Sequence, residues 1–114
     1  MNTRTEIEHK IVDYIRDNPG TSFREIERIF EENGFDYKGE HCFYLPGFPN
    51  IIIWGHWNKK AINLFNSLRG ILIPEPAQPL LYVVDGVIPD LPIATDALQY
   101  ETPHWLPVIF SVAQ

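Results

Sequence analysis

The first 34 residues contain two complete sets of helix start and stop signals, which constrain the fold more than any other feature of the chain. Capping boxes, in which a hydroxyl and a carboxylate satisfy free backbone N–H groups, occur at Thr3-x-x-Glu6, at Thr5-x-x-Glu8 and at Ser22-x-x-Glu25. Apolar residues follow each box at helical spacing. The corresponding stop signals are Asn18-Pro19-Gly20 and Gly34. The sequence therefore predicts two short amphipathic helices at the start of the chain.

After Gly34 the sequence changes to short β-rich runs separated by turn residues. Residues 42–45 and 51–54 flank a Pro-Gly-Phe-Pro turn, so they predict a β-hairpin. Residues 71–73 and 80–84 flank a second proline-rich stretch, and they predict a second hairpin with a proline-rich tip. Asp85-Gly86 follows as a two-residue turn signal. The pattern indicates a mixed α+β fold.

The stretch IIIWGHWNKK, residues 51–60, is the junction between a strand and a third helix. Gly55 breaks the strand, and Asn58 is a good N-cap residue. The third helix is predicted over residues 59–69, with Gly70 closing it. The chain is then predicted to be a single domain over residues 1–114, with an inserted hairpin at 35–57. Its C-terminal segment, 87–114, is predicted to be extended and proline-rich, ending in a strand near 108–112.

The composition excludes several classes of protein. Apolar and charged residues make up 45% and 21% of the 114 residues, as in ordinary globular proteins. No apolar run approaches the roughly 18 residues that span a membrane, so no membrane partner is expected. One cysteine, Cys42, cannot form an internal disulfide and suits a reducing compartment. We therefore expect a cytoplasmic protein.

The charge distribution is uneven along the chain, whose net charge is −6. Residues 42–74 contain three basic residues and no acidic residue, whereas residues 75–114 contain five acidic residues and no Lys or Arg. The third helix lies in the acid-free part, and its polar residues fall on the side opposite its apolar ones. Cations there can contact phosphates, and amides can pair with an adenine edge. The candidate DNA-binding residues are Lys59, Lys60, Asn63, Asn66, Ser67 and Arg69.

Two stretches of the chain resemble the winged helix-turn-helix family. YIRDNPGTSFREIERIF is similar to the first two helices of such regulators, and LFNSLRGILIPEPAQPLLYVVDG resembles a recognition helix running into its wing. The family pattern Leu-x-x-x-Gly-x-Ile is matched loosely by Leu64 or Leu68, Gly70, Leu72, Ile73 and Tyr82. The resemblance implies a winged-helix-like fold of three helices and two hairpins, with DNA binding through the third helix. Because only three basic residues are available, we expect a homodimer to be the DNA-binding form.

Two alternatives to DNA binding stay open. The predicted wing tip carries Glu75 and prolines in place of Arg or Lys, which favours a winged helix that binds a protein partner. Residues 22–69 also resemble the small mRNA-interferase toxins of the Hic type, and that resemblance implies His41 as an acid–base group in RNA cleavage. Apart from this alternative, no catalytic motif, metal site or cofactor site is predicted, and the histidines are interpreted as structural. The chain is therefore expected not to be an enzyme.

Overall fold

The structure, a computed structural model, describes residues 3–96 and 99–113. Within them the chain has a mixed α+β fold, and no helix there has both the length and the apolarity needed to cross a bilayer. The helices are α1 (Arg4–Asp17), α2 (Phe23–Glu32), α3 (Lys59–Asn66) and α4 (Pro79–Val83). The strands are β1 (Thr21–Ser22), β2 (Lys38–Leu45), β3 (Phe48–Trp57), β4 (Leu72–Pro76), β5 (His104–Trp105) and β6 (Val108–Val112).

The first two helices begin where the capping signals place them. The Thr3 hydroxyl accepts a hydrogen bond from the Glu6 backbone N–H at 3.2 Å, and the Ser22 hydroxyl accepts one from the Glu25 N–H at 3.2 Å. The apolar residues of both helices face inward and are buried, as the helical spacing predicts. The prediction of two N-terminal amphipathic helices is confirmed.

The predicted hairpin within residues 35–57 is also confirmed, and it is longer than its β-rich runs suggest. Strands β2 and β3 pair antiparallel around a tight turn, in which Gly47 has a φ of 83° that favours glycine. Strand β5 adds to the other edge of β3 in parallel, with Ile51 opposite His104 and Ile52 opposite Trp105. The hairpin is therefore the larger part of a three-stranded sheet, β2-β3-β5.

The second sheet has the order β1-β6-β4, and it corrects the prediction of a second hairpin. Strand β4 pairs antiparallel with β6, which begins 36 residues further along the chain than β4 does. In this register Leu72 lies opposite Val112 and Pro76 lies opposite Val108. Residues 80–84 do not pair with residues 71–73. They belong to α4 and its C-cap, so the described residues contain four helices rather than the predicted three.

Local chemistry explains why residues 79–83 form a helix. Pro79 occupies the first helical turn, where its fixed φ suits a helix and its missing N–H costs nothing. Gly86, with a φ of 87°, caps the other end. Its N–H donates to the Val83 carbonyl at 3.0 Å, and the Val87 N–H donates to the Tyr82 carbonyl at 3.1 Å. The predicted turn at Asp85-Gly86 is therefore present, and it forms part of a helix C-cap.

Aromatic rings form the centre of the core, between the helices and the two sheets. The Phe23 ring lies 5.0–5.6 Å from five other rings, and these belong to Phe43, Trp54, Trp57, Phe65 and Phe110. Trp57 and Trp105 are buried and Trp54 is partly buried, so the tryptophans fill the core as predicted. This packing joins α2, α3, the hairpin and β6 into one body. The C-terminal segment 87–114 contributes β5 and β6, but its residues 97, 98 and 114 lie outside the described residues.

Candidate functional site

Helix α3 is held at its N-terminus by Asn58. The side-chain oxygen of Asn58 accepts a hydrogen bond from the Ala61 N–H at 2.9 Å, and its amide group donates to the Asp36 carbonyl at 2.8 Å. The Asn58 backbone N–H donates to the Tyr37 carbonyl at 2.7 Å. The start of α3 is therefore tied to the segment that enters the hairpin.

The inner face of α3 is fully buried. Ala61, Leu64 and Phe65 are at most 2% exposed, and Leu68 in the following turn is buried as well. The regular helix ends at Asn66 rather than at the predicted residue 69. The chain continues through a tight turn, in which the Leu68 N–H donates to the Phe65 carbonyl. This packing fixes which side of α3 faces solvent.

All six residues predicted to contact DNA are exposed. Four of them lie on α3, namely Lys59, Lys60, Asn63 and Asn66, and the other two lie in the turn that follows, namely Ser67 and Arg69. The exposed part of α3 and its C-terminal turn thus carries all six residues. We call this surface the α3 face.

The cations of the α3 face contact aromatic rings rather than carboxylates. The Lys60 ammonium lies 5.9 Å from the centre of the Phe35 ring, and the Arg69 guanidinium lies 5.6 Å from that of Phe43. Among residues 3–96 and 99–113, no carboxylate forms an ion pair with Lys59, Lys60 or Arg69. Their charges are therefore not neutralised by local ion pairs.

The cations of helix α2, in contrast, form ion pairs with carboxylates. The Arg24 guanidinium pairs with Glu27 at 3.2 Å and with Glu31 at 3.3 Å, and the Arg28 guanidinium pairs with Asp85 at 3.3 Å. Its cations are thus committed to neighbouring carboxylates. The absence of acidic residues in 42–74 has a local consequence, because it leaves the α3 face with unneutralised cations.

Arg4 is a further cation beside the α3 face, and the sequence did not indicate it. Its guanidinium donates to the Asn63 carbonyl at 3.1 Å, from the first turn of α1. The same guanidinium pairs with Glu8 at 2.8 Å, so its charge is partly neutralised. Because 59 residues separate Arg4 from Asn63, no spacing rule could have joined them.

Glu27 is a second residue that the sequence analysis missed. Its side chain is almost fully buried on the inner face of α2, and one carboxylate oxygen accepts hydrogen bonds from the Trp54 and Trp57 indole N–H groups at 2.9 and 2.8 Å. The available signal was an acidic residue four positions after Phe23, on the apolar face of the helix. Glu27 fixes both tryptophans of the hairpin to α2, so its role is to position the scaffold under α3.

The histidines and the cysteine do not form a shared metal site. His41 is exposed on β2, and the His104 ring stacks on that of Tyr100 with 3.9 Å between centres. No group of three potential metal ligands occurs within the described residues. Cys42 and His56 do line a common cavity of about 320 Å³. The histidines thus lie apart from one another, whereas the proximity of Cys42 to His56 was not predicted.

A bulge in the hairpin brings Cys42 and His56 together. His41 pairs with Trp57 and Phe43 with Trp54, so Gly55 and His56 both lie opposite Cys42. His56 has a φ of 64°, which is uncommon for a residue with a side chain. A side chain at residue 55 would begin 3.0 Å from the Cys42 Sγ. A side chain at 55 would therefore require the Cys42 side chain to shift, and the bulge leaves His56 exposed.

Comparison of the chain with models of protein families, with curated proteins and with solved structures gave no match.

Proposed function

We propose that the chain is a DNA-binding module of the winged-helix type with a regulatory role, and that its α3 face contacts the DNA. The order of elements supports the proposal. Strand β1 lies between α1 and α2, and α3 is followed by β4, which pairs with β6 in one antiparallel sheet with β1. A third helix running into an antiparallel pair of strands is what the family resemblance implies. Residues 77–107, which connect β4 to β6, then take the place of the short wing tip found in the family.

The observation that carries the proposal is the composition of the α3 face. It is exposed, it presents amides and cations, and no carboxylate pairs with its cations within the described residues. A recognition helix needs amides or guanidinium groups for base edges and cations for phosphates. The inner side of α3 is packed in the core, so the helix is held rigidly in one orientation.

The small number of cations on the α3 face predicts weak DNA binding by one copy of the chain. Each neutralised phosphate contributes a salt-dependent term to the affinity, and the α3 face has only three cations of its own. The net charge of −6 opposes the approach of DNA elsewhere on the protein. A homodimer that presents two α3 helices to two half-sites doubles the contacts. We therefore propose the dimer as the DNA-binding form.

Binding to duplex DNA at low salt, followed by selection of a preferred sequence, tests the proposal. Lys60→Ala should weaken binding to all sequences alike and reduce the salt slope by about one phosphate contact. Asn63→Ala should cost about 1–3 kcal/mol on the preferred sequence and leave nonspecific binding nearly unchanged.

Arg16→Ala is the matched control, because Arg16 is an exposed cation at the far end of α1. It lies twelve residues, or about 18 Å of helix, from the Arg4 end that contacts α3. The control should bind DNA like the wild type. Equal and negligible affinity of the wild type and both α3 variants at low salt would contradict the proposal.

A protein partner is the second candidate, and a separate surface favours it. Leu80, Val84 and Ile88 are 65%, 74% and 87% exposed, on α4 and the segment that follows it. Exposed apolar side chains grouped in this way are typical of protein contacts. This surface lies on the excursion between β4 and β6, so a protein contact there is compatible with either use of α3. A gain in solubility without loss of DNA binding in Leu80→Ser/Val84→Ser would separate the two surfaces.

A further inference from the structure

A cavity of about 260 Å³ lies between the two sheets, beside the C-terminal turn of α3. Strands β2 and β3 form one side of it and β4 and β6 the other. Its lining is mainly apolar and includes the rings at the centre of the core, namely Phe23, Phe43, Phe65 and Phe110. An apolar cavity of about 150 Å³ in another protein stays dry and binds benzene, so this one has room for a larger apolar group.

Among residues 3–96 and 99–113, Arg69 is the one charged residue in that lining. Its guanidinium lies over the Phe43 ring, and no carboxylate of the described residues pairs with it. Glu75 is nearby in sequence, but alternation along β4 directs it away from the side on which Pro74 lines the cavity. A guanidinium has five N–H donors, and because a ring contact of this kind is no hydrogen bond to a carboxylate, they stay available for an acceptor.

We propose that this cavity binds a small amphipathic carboxylate, with its apolar body between the sheets and its carboxylate on Arg69. The apolar lining favours the body because its burial removes apolar surface from water. The guanidinium favours the carboxylate because two parallel N–H donors match its two oxygens. A neutral ligand would leave the exposed guanidinium to water and gain no charge-assisted hydrogen bond, so the charge sets the class of ligand.

The proposal does not depend on DNA binding, but it has a consequence for the α3 face. Arg69 belongs to that face as well as to the cavity. A bound carboxylate neutralises one of its three cations, so the ligand weakens DNA binding. Ligand binding is measured without DNA, and failure of either proposal is therefore recognised separately.

Calorimetry with 4-phenylbutyrate and with the neutral 4-phenylbutan-1-ol tests the site, because the two probes share an apolar body and differ in charge. The wild type should bind the acid at least tenfold more tightly than the alcohol. Arg69→Gln should remove this preference by weakening the acid at least tenfold and leaving the alcohol unchanged. Each tenfold change corresponds to the strength expected of one charge-assisted hydrogen bond.

Two further variants complete the test. Lys59→Gln removes another exposed cation of α3 that does not line the cavity, and it should leave the affinity for both probes unchanged. Ile53→Phe puts a larger side chain at a partly buried lining position, and it should weaken both probes together. Equal affinity for the two probes, an unchanged Arg69→Gln variant, or no binding of either probe at millimolar concentration would overturn the proposal.

Discussion

Helices α3 and α4 are both short, but most apolar side chains of α3 are buried whereas most of those of α4 are exposed. On α3 the apolar side chains Ala61, Leu64 and Phe65 face the core, and the exposed side is polar. On α4 only Tyr82 is buried, and Leu80 is among the apolar residues left in solvent. The two helices therefore offer surfaces of different chemistry on one small protein.

The difference follows from how each helix is attached. Helix α3 has eight residues and a side-chain N-cap, so positions three and four apart make one continuous buried face. Helix α4 has five residues and no side-chain cap, and its one buried side chain is Tyr82. The Tyr82 ring packs against Trp54 and Trp105, and its hydroxyl makes two hydrogen bonds. That hydroxyl donates to the Val108 carbonyl at 2.5 Å and accepts from the Phe23 N–H at 3.1 Å. One helix is positioned by packing and the other by a single anchoring side chain.

These attachments suit the two kinds of partner proposed for the chain. A surface that reads a charged polymer must hold its donors in fixed directions, and packing over a full helix face provides that. A surface that contacts a protein needs an exposed apolar area, and one anchored turn leaves its other side chains free for it. The comparison predicts that substitutions on the two helices have effects of very different size.

The largest effect is expected from removing the element on which both helices depend. Deletion of residues 100–114 removes β6, the central strand of the sheet β1-β6-β4. It removes the Phe110 ring that packs 5.2 Å from Phe65, and also the Val108 carbonyl that holds Tyr82. We expect the truncated protein to unfold or aggregate, as measured by circular dichroism and size-exclusion chromatography. A folded, monodisperse truncation would show that neither helix needs β6.

The next prediction compares one substitution on each of the two helices. Phe65→Ala on α3 should lower the free energy of unfolding by about 3–5 kcal/mol, because a fully buried ring leaves a cavity. Leu80→Ala on α4 should change it by less than about 0.5 kcal/mol, because that side chain is mostly in solvent. Urea denaturation of both variants provides the measurement. Similar losses for the two would mean that α4 is packed as firmly as α3.

Features of the fold that depend on local chemistry could be predicted from the sequence. Helices α1 and α2 and the start of α3 were predicted because Thr3, Ser22 and Asn58 each satisfy backbone groups within three residues. The first hairpin was predicted because its strands are joined by a tight turn. Strand β6 was predicted from its own β-rich run, but its partners were not.

The predictions were wrong where contacts between residues distant in sequence determine the structure. The run 80–84 is short and apolar, which fits a strand or a helix equally well, and Pro79 and the Tyr82 anchor decide for the helix. Strand β4 pairs with β6 across 77–107, and no local signal encodes that pairing. The same limit applies to the site. The exposure of the α3 face followed from helical periodicity, whereas the contribution of Arg4 and the role of Glu27 depend on contacts between distant residues.

A smaller loss than that of Phe65→Ala is expected at the contact between α1 and α2, the two helices that pack beneath α3 and α4. The Tyr14 hydroxyl donates to the Glu25 carboxylate at 2.7 Å. This hydrogen bond, together with burial, raises the pKa of Tyr14 to about 12 from its ordinary value of 10.0. The folded state therefore keeps the phenol proton to higher pH than the unfolded state does. The resulting stability is complete below pH 10 and is lost as the pH rises from 10 to 12.

Tyr14→Phe removes this contribution at every pH. Below pH 10 the variant should be less stable than the wild type by about 1 kcal/mol, since the bond is partly exposed to solvent. The difference should shrink between pH 10 and 12, because only the wild type loses the bond there. Urea midpoints measured across that range, with Tyr44→Phe as the control at a half-exposed tyrosine, give the comparison. A difference that stays constant through pH 12 would mean that the Tyr14 hydroxyl does not link α1 to α2 through its proton.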